Sequence, residues 1–360
     1  MLEVNGQQTS AMAFTTINNG SLFMNPKIYT GNGSTLAVDT GIDLTNNGGL
    51  CIAKNRNASN KDWYWVDTVR GATKTIHSNG TGSEQTYSGG ITGFNNNGFQ
   101  VGSATQTNGN GNNLVGYNFK AGTSVTGSSN TDGDVTSTIT ANTTSGFSIV
   151  RWTGTAGNIE VGHGTGKIPK AILIKNLSNG SAQWVVYHVG TGNTKACYLN
   201  TTAAATSTAG FFNNTTPTSS VFTVGTDTAV NGSSNSMIAY VFSDIQGYSK
   251  MVTYIGNGNA DGPFVYTGFR PSFILMKGSS FSGDAWTIYD DKRTGFNGAT
   301  TPINPNSANP GDTSLNASLD ILSNGFKIRD SWTQINTSGA TFIYMAFAEA
   351  PLVGTNNIPA

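Results

Sequence analysis

Hydrophobic residues in this chain occur in short runs separated by polar, glycine-rich segments. The runs span four to eight residues and favour Val, Ile, Tyr and Phe, as in VFTVG and IYMAF. Asn-Gly steps lie between them, for example at 97–98 and 324–325, and supply the positive φ angles of tight hairpins. Such runs are typical of β-strands. The pattern predicts an all-β protein, with one short helical turn at 201–208.

One order of markers occurs three times along the chain. Each block opens with an aromatic residue and a Gly-rich loop, as in YTGNGST, WTGTAGN and YIGNGNA. An apolar run then ends in Lys, and a Trp follows nine residues later. The pairs, which we expect at equivalent structural positions, are Lys54 and Trp63, Lys175 and Trp184, and Lys277 and Trp286. The repetition predicts three tandem antiparallel β-sandwich modules of a jelly-roll or lectin-like kind, each with seven or eight strands.

The repeats also predict the domain organisation. The polar stretch between the first two modules reads as a linker or an insertion. The N-terminal arm contains apolar residues such as Phe14 and Ile17, so we expect it to dock onto a partner; the alternative is an extra strand of the first sandwich. The segments are an arm (1–27), module one (28–122), the linker or insertion (123–146), module two (147–247), module three (250–350) and a tail (351–360).

Composition narrows the functions that remain. The 360 residues contain 19 basic and 19 acidic side chains, and charged residues make up only 11%. Zero net charge without a basic run argues against nucleic-acid binding. No apolar run reaches the length of a membrane-spanning helix. The opening residues lack the basic and apolar regions of a signal peptide, so we expect no Sec export.

The acidic residues near each Trp are the strongest candidates for catalysis. A glycosidase needs two converging carboxylates. The second repeat has Gln183 and His188 where the first has Asp62 and Asp67, so turn formation or capping is the favoured interpretation over catalysis. The other acids of this group are Asp284, Asp290 and Asp291.

Metal, thiol and cofactor chemistry have weak signals. The step Asp132-Gly133-Asp134 lacks the further oxygen ligands of a calcium loop. Cys51 and Cys197 are too few for a disulfide framework, and Cys51 lies in an apolar run typical of a buried thiol. The sequence therefore predicts no catalytic, cofactor-binding or metal-binding residue.

The repeated Trp has two interpretations. It either anchors each sandwich core or offers a platform on which sugars stack. Recurrence in all three repeats favours the core. Alternation places Trp63 and Trp65 on one face of a strand and Tyr64 on the other, which makes Tyr64 the candidate surface-binding aromatic.

The repeat motifs carry a family resemblance. From about Ala13 to Pro351 the chain resembles repeat-containing structural proteins of tailed bacteriophages, which are often labelled tail-fibre or virion structural proteins. The segments that carry the likeness include LNTTAAATS, GFFNNTTPTSSVFTVG, YIGNGNADGPFVYTGFRPSFILMK and LDILSNGFKIR. The resemblance implies a virion component without catalytic residues, assembled in the bacterial cytoplasm.

Within that resemblance, a tail-fibre or host-adhesion protein that binds a cell-surface receptor is the favoured function. The alternatives are a capsid decoration protein and a carbohydrate-active enzyme on a lectin-like sandwich. We expect other virion proteins as partners, a host glycan or protein as a receptor candidate, and a homo-oligomer, with a trimer favoured by analogy. Repeated β modules predict a rod in which each unit touches its neighbour.

Overall fold

Antiparallel sheets make up nearly all of the regular structure. The computed structural model describes residues 13–293, 295–299, 301–311 and 318–355. These ranges contain 26 strands and four one-turn α-helices, and the strand ladders are antiparallel. The predicted all-β class is confirmed.

The first repeat builds a large sheet and a smaller one. Its elements are β1 (Met24–Thr30), β2 (Leu36–Asp39), β3 (Gly49–Asn55), β4 (Tyr64–Asp67), β5 (Lys74–Thr75), β6 (Gln85–Thr86), β7 (Ile91–Asn95), β8 (Gly98–Val101), α1 (Thr105–Asn108) and β9 (Asn113–Lys120). The large sheet has the order β1-β9-β3-β4, and the small sheet has the order β2-β8-β7.

The second and third repeats keep this plan. After β10 (Ser128–Asn130) and β11 (Ser137–Asn142), the second contains β12 (Phe147–Thr153), β13 (Ile159–Gly162), β14 (Pro169–Asn176), β15 (Val185–His188), β16 (Lys195–Tyr198), β17 (Thr206–Ser207), α2 (Ala209–Phe212), β18 (Val221–Val224), α3 (Thr228–Asn231) and β19 (Ser236–Ser243). The third contains β20 (Ser249–Ile255), β21 (Phe264–Tyr266), β22 (Phe269–Gly278), β23 (Thr287–Asp290), β24 (Leu319–Leu322), β25 (Gly325–Ile328), α4 (Thr333–Asn336) and β26 (Thr341–Pro351). The orders β12-β19-β14-β15 and β20-β26-β22-β23 repeat that of the first large sheet.

Each large sheet is covered on both faces. In β3, Cys51 and Ala53 pack towards the small sheet of their own repeat, whereas Leu50 and Ile52 join a core shared by all three repeats. Successive side chains of a strand point to opposite faces, so a strand that is apolar at every position requires a layer on each side. The small sheet supplies one layer, and the other repeats supply the second.

The shared core brings the three repeats together around a common centre. Phe119, Phe242 and Phe347, which hold the same position in β9, β19 and β26, contact one another with ring centroids 5.3–5.7 Å apart. A chain of units in contact only with their neighbours would not bring the first and third repeats together. The repeats therefore close into a ring, and the rod expected from tandem repetition is wrong.

The polar stretch 123–146 contains two strands. β11 pairs with β12, with Thr138 opposite Arg151, and β10 pairs with β11, so the stretch widens the large sheet of the second repeat. Ile139 and Thr140 are buried, which gives the segment packing that a free linker lacks. It is an insertion with its own strands.

The described part of the N-terminal arm folds back onto the ring. Ile17 is buried, the Phe23 ring lies 5.8 Å from that of Tyr248 in the third repeat, and β1 begins at Met24. Asn18 Nδ2 also donates to Thr355 Oγ1 in the tail over 2.6 Å. Residues 13–23 form no strand, and β1 has counterparts in β12 and β20, so the described part of the arm adds no extra strand to the first sandwich. Residues 1–12, on which the rest of the docking prediction and of its alternative depends, lie outside the described residues.

The helical turn predicted at 201–208 is wrong by a few residues. This segment holds bends and β17, and α2 starts immediately afterwards at Ala209. Thr208 caps that helix, because its Oγ1 accepts from Gly210 N over 3.1 Å. The Ala-rich composition therefore lies before the helix, and the cap decides where the helix begins.

Candidate functional site

The three repeated lysines, Lys54, Lys175 and Lys277, are buried. Each is the second-last residue of its strand, which is β3, β14 and β22 respectively. Lys175 Nζ donates to Thr81 O, Asn176 O and Ala182 O over 2.8, 2.9 and 3.0 Å. Burial lowers the pKa of Lys54 and of Lys175 to about 8. Each ammonium also reaches a carbonyl of another repeat: Lys54 that of Ala308, Lys175 that of Thr81, and Lys277 that of Thr202.

The three Trp side chains immediately precede β4, β15 and β23 and link the same repeats. Each indole Nε1 donates to a main-chain carbonyl of another repeat at 2.9–3.1 Å. The acceptors are Asn304 and Ser307 for Trp63, His77 for Trp184, and Tyr198 for Trp286. These hydrogen bonds connect the first repeat to the third, the second to the first and the third to the second, so they close the ring. Since the Trp side chains are buried, they serve the core rather than a sugar platform.

A buried polar network joins the first repeat to the second. Asp67 Oδ2 accepts from Arg70 Nε at 2.5 Å and from Tyr240 OH at 2.8 Å, and its Oδ1 accepts from Arg70 N at 2.9 Å. Arg70 Nη2 donates to Trp65 O over 2.8 Å. Burial and the neighbouring Asp67 charge raise the pKa of Tyr240, despite the opposing effect of Arg70. The tyrosine therefore stays protonated and donates.

The same network recurs between the third repeat and the first. Asp290 Oδ2 accepts from Arg293 Nε at 2.5 Å and from Tyr117 OH at 2.7 Å. Burial alone would raise the pKa of Asp290, but the adjacent Arg293 guanidinium outweighs burial and lowers it. The carboxylate is thus ionised, paired and enclosed, which makes it a structural group.

The third interface uses different chemistry. His188 takes the place of the aspartate, and its Nε2 donates to Tyr344 O over 3.0 Å while its Nδ1 accepts from Gly190 N at 3.0 Å. Burial lowers the pKa of His188 to about 4. Met345 stands at the position of the tyrosine of the other two interfaces, as the cross-strand register shows. A neutral histidine thus replaces the ion pair.

The remaining candidate acids do not converge on one place. Asp62 Oδ1 accepts from Asn79 Nδ2 over 2.7 Å, and Asp291 pairs with Lys292 Nζ at 2.7 Å. Asp134 Oδ2 accepts from Glu160 N over 2.8 Å, which joins the insertion to β13. Within the described ranges, no three His, Cys, Asp or Glu side chains form a group that could hold a metal ion. Both cysteines are buried and free.

Tyr64 is not a surface aromatic. Its side chain is 4% exposed and lies between the rings of His77 and Tyr87, with centroids 4.7 and 5.6 Å away. Its strand β4 is covered on both faces, which alternation alone did not reveal.

Three buried asparagines escaped the sequence analysis. They end α1, α3 and α4, and their side chains bind the Gly-rich loop that opens each repeat. Asn108 Oδ1, for example, accepts from Asn32 N over 2.9 Å, and its Nδ2 donates to Gly102 O over 2.7 Å. The equivalents are Asn231 and Asn336. Their constant distance of five residues from the start of the last strand was the available signal.

Open grooves occur on the outer surface of the described residues. One, of about 560 Å³, lies beside β2 and the turn between β7 and β8 in the first repeat. Another, of about 360 Å³, lies where the second repeat meets the third, beside Asp244, Lys250 and Tyr266. The two grooves occupy different places in the repeat, so they are not equivalent sites.

A family model covers residues 19–351 and is described as a Domain of unknown function (DUF7483). The chain belongs to this family. No curated protein matches it. The match spans all three repeats of the DUF7483 chain, in agreement with a ring that shares one core. None of the helices described for this chain is long and apolar enough to cross a membrane.

Proposed function

We propose that this DUF7483 chain is a non-enzymatic structural component of a tailed-phage particle, with a tail-fibre or host-adhesion role. The observation that carries the proposal is that the candidate catalytic acids form buried contacts between repeats. Asp67 and Asp290, the acids most suited to catalysis, are enclosed and paired with arginines at the junctions between repeats. The groups that could do chemistry instead fix a rigid ring.

The surface fits the same role. With 11% charged residues and no net charge, the chain has few charged side chains and many amides and hydroxyls to place on its exterior. Such a surface favours contacts by shape and hydrogen bonding over long-range steering. The resemblance to virion structural proteins supports the assignment independently of the fold.

Labelling of particles tests the location. Antibodies against the purified chain should bind the tail tip of the phage that encodes it, as seen by electron microscopy. Label spread over the head would instead support a capsid decoration protein, and particles without label would overturn both. Turnover of a host polysaccharide by the purified chain would overturn the non-enzymatic assignment.

The homo-oligomer remains a prediction, and the ring gives it a physical alternative. One chain already brings three similar repeats around one centre, so threefold packing does not require three chains. Sedimentation distinguishes a single chain of 37.6 kDa from an assembly three times that mass.

A further inference from the structure

The groove of the first repeat presents hydrogen-bonding side chains on a fixed frame. Asn97 O accepts from Thr40 N and Gly41 N at 2.8 and 3.1 Å, and Asn95 O accepts from Leu44 N at 2.9 Å. The main chain of the β7–β8 turn is thereby tied to the segment after β2. The main chain that carries the binding side chains therefore needs little ordering when a ligand arrives.

The side chains on this frame have spare hydrogen-bonding capacity. The side-chain amides of Asn95, Asn96 and Asn97 make no hydrogen bond to any described residue. Asp39 Oδ1 accepts from Gly41 N at 3.2 Å, and its Oδ2 has no hydrogen-bond partner among the described residues. Phe94 is half-buried against the core of the first sandwich and lines the same groove. The groove thus combines one aromatic ring with several donors and acceptors.

We propose that this groove binds a neutral carbohydrate. Sugar hydroxyls both donate and accept, which suits adjacent amides and a carboxylate. The C–H face of a pyranose suits an aromatic ring, and 560 Å³ lies in the range of small-molecule sites. No Lys, Arg or His is among the lining residues, and Asp39 is acidic, so the groove disfavours acidic sugars. The inference rests on the proposed adhesion role and supplies its receptor class.

The other repeats show that the fold does not require these residues. By cross-strand register, Tyr266 replaces Asp39 in the third repeat, and the buried Ile321 replaces Phe94. The second repeat has Gly162 at the position of Asp39. The combination in the first repeat is therefore a feature of its surface alone.

Ligand-observed saturation-transfer NMR with the full chain tests the proposal. The probes are methyl glucoside, methyl mannoside, methyl galactoside, N-acetylglucosamine and glucuronic acid, each at millimolar concentration. We expect signals from one or more neutral sugars and none from glucuronic acid. Asp39→Asn should weaken binding about tenfold, the effect of a hydrogen bond to a charged group, and Phe94→Leu should also weaken it while preserving apolar packing.

A matched control uses the same turn position in another repeat. Asn96→Ala should reduce binding, whereas Ser323→Ala, at the equivalent exposed turn position of the third repeat, should leave it unchanged. Absence of signal from every neutral probe, or equal binding by the wild type and the Asp39→Asn variant, overturns the site. Either result leaves the particle labelling unaffected, so failure of the site and failure of the virion role are distinguishable.

Discussion

Replacing Tyr240 with Phe isolates one hydrogen bond between repeats. Tyr240 OH donates to Asp67 Oδ2 over 2.8 Å and lies 3.2 Å from Arg70 Nη2. All three side chains are buried, so water does not replace the lost hydroxyl. A hydrogen bond to a charged group contributes about 1.5–3 kcal/mol. Because Asp67 keeps its contacts with Arg70, we expect Tyr240→Phe to lower the free energy of unfolding by about 2 kcal/mol.

Guanidinium titration at neutral pH, followed by tryptophan fluorescence, measures this loss. The midpoint should fall while the denaturant dependence stays constant, because the surface exposed on unfolding is the same. Tyr117→Phe, which removes the equivalent bond to Asp290, should give a similar loss.

Tyr344→Phe is the matched control. Its hydroxyl is buried without a hydrogen-bond partner among the described residues, so its removal should be neutral or slightly stabilising. If Tyr240→Phe and Tyr344→Phe have the same effect, the buried network does not hold the repeats together.

Two further perturbations test the ring and its loops. His188 has a folded-state pKa of about 4 against an ordinary 6.5, so its stabilising contribution is complete above pH 6.5 and is lost as the pH falls towards 4. The free energy of unfolding, measured as a function of pH, should fall by about 3 kcal/mol over this range. His188→Gln should reduce this dependence on pH. A Cβ at Gly154 would lie 2.2 Å from Gly232 O, so Gly154→Ala should lower the melting temperature, whereas Gly80→Ala, with open space around it, should not.

The repeats and their strands could be predicted, because alternation and turn residues are local signals. The nine-residue spacing between Lys and Trp, as in Lys175 and Trp184, identified the equivalent pair in each repeat. It did not show that the hydrogen-bond partners of these side chains lie in another repeat. Trp63 and Asn304 are 241 residues apart, and no periodicity reports such a contact. Runs such as SMIAYVFS, apolar at nearly every position, were the available hint that each sheet needs a second layer.

Surface sites were harder to predict for a different reason. Phe94 and Asp39 lie on β7 and β2, which are far apart in the sequence and both pair with β8, and main-chain bonds tie residues 40–44 to 95–97. Tyr64 misled because its strand has no solvent face. A local sequence pattern predicts on which face of a strand a side chain lies. Whether that side chain is exposed depends on the other layers of the ring that cover the face.

The residues that differ between equivalent positions of the repeats are consistent with a closed ring. The aspartate of one repeat bonds the tyrosine of the next, as Asp67 does with Tyr240, and Asp290 completes the cycle with Tyr117. Where the second repeat has His188, the following repeat has Met345, so donor and acceptor are lost together at one interface. A tyrosine that lost its aspartate would leave a buried hydroxyl unpaired, which costs stability. Only a closed arrangement gives Tyr117 a partner in the third repeat. An open rod would leave the Tyr117 hydroxyl without this acceptor, and Asp290 would keep Arg293 but lose the tyrosine donor.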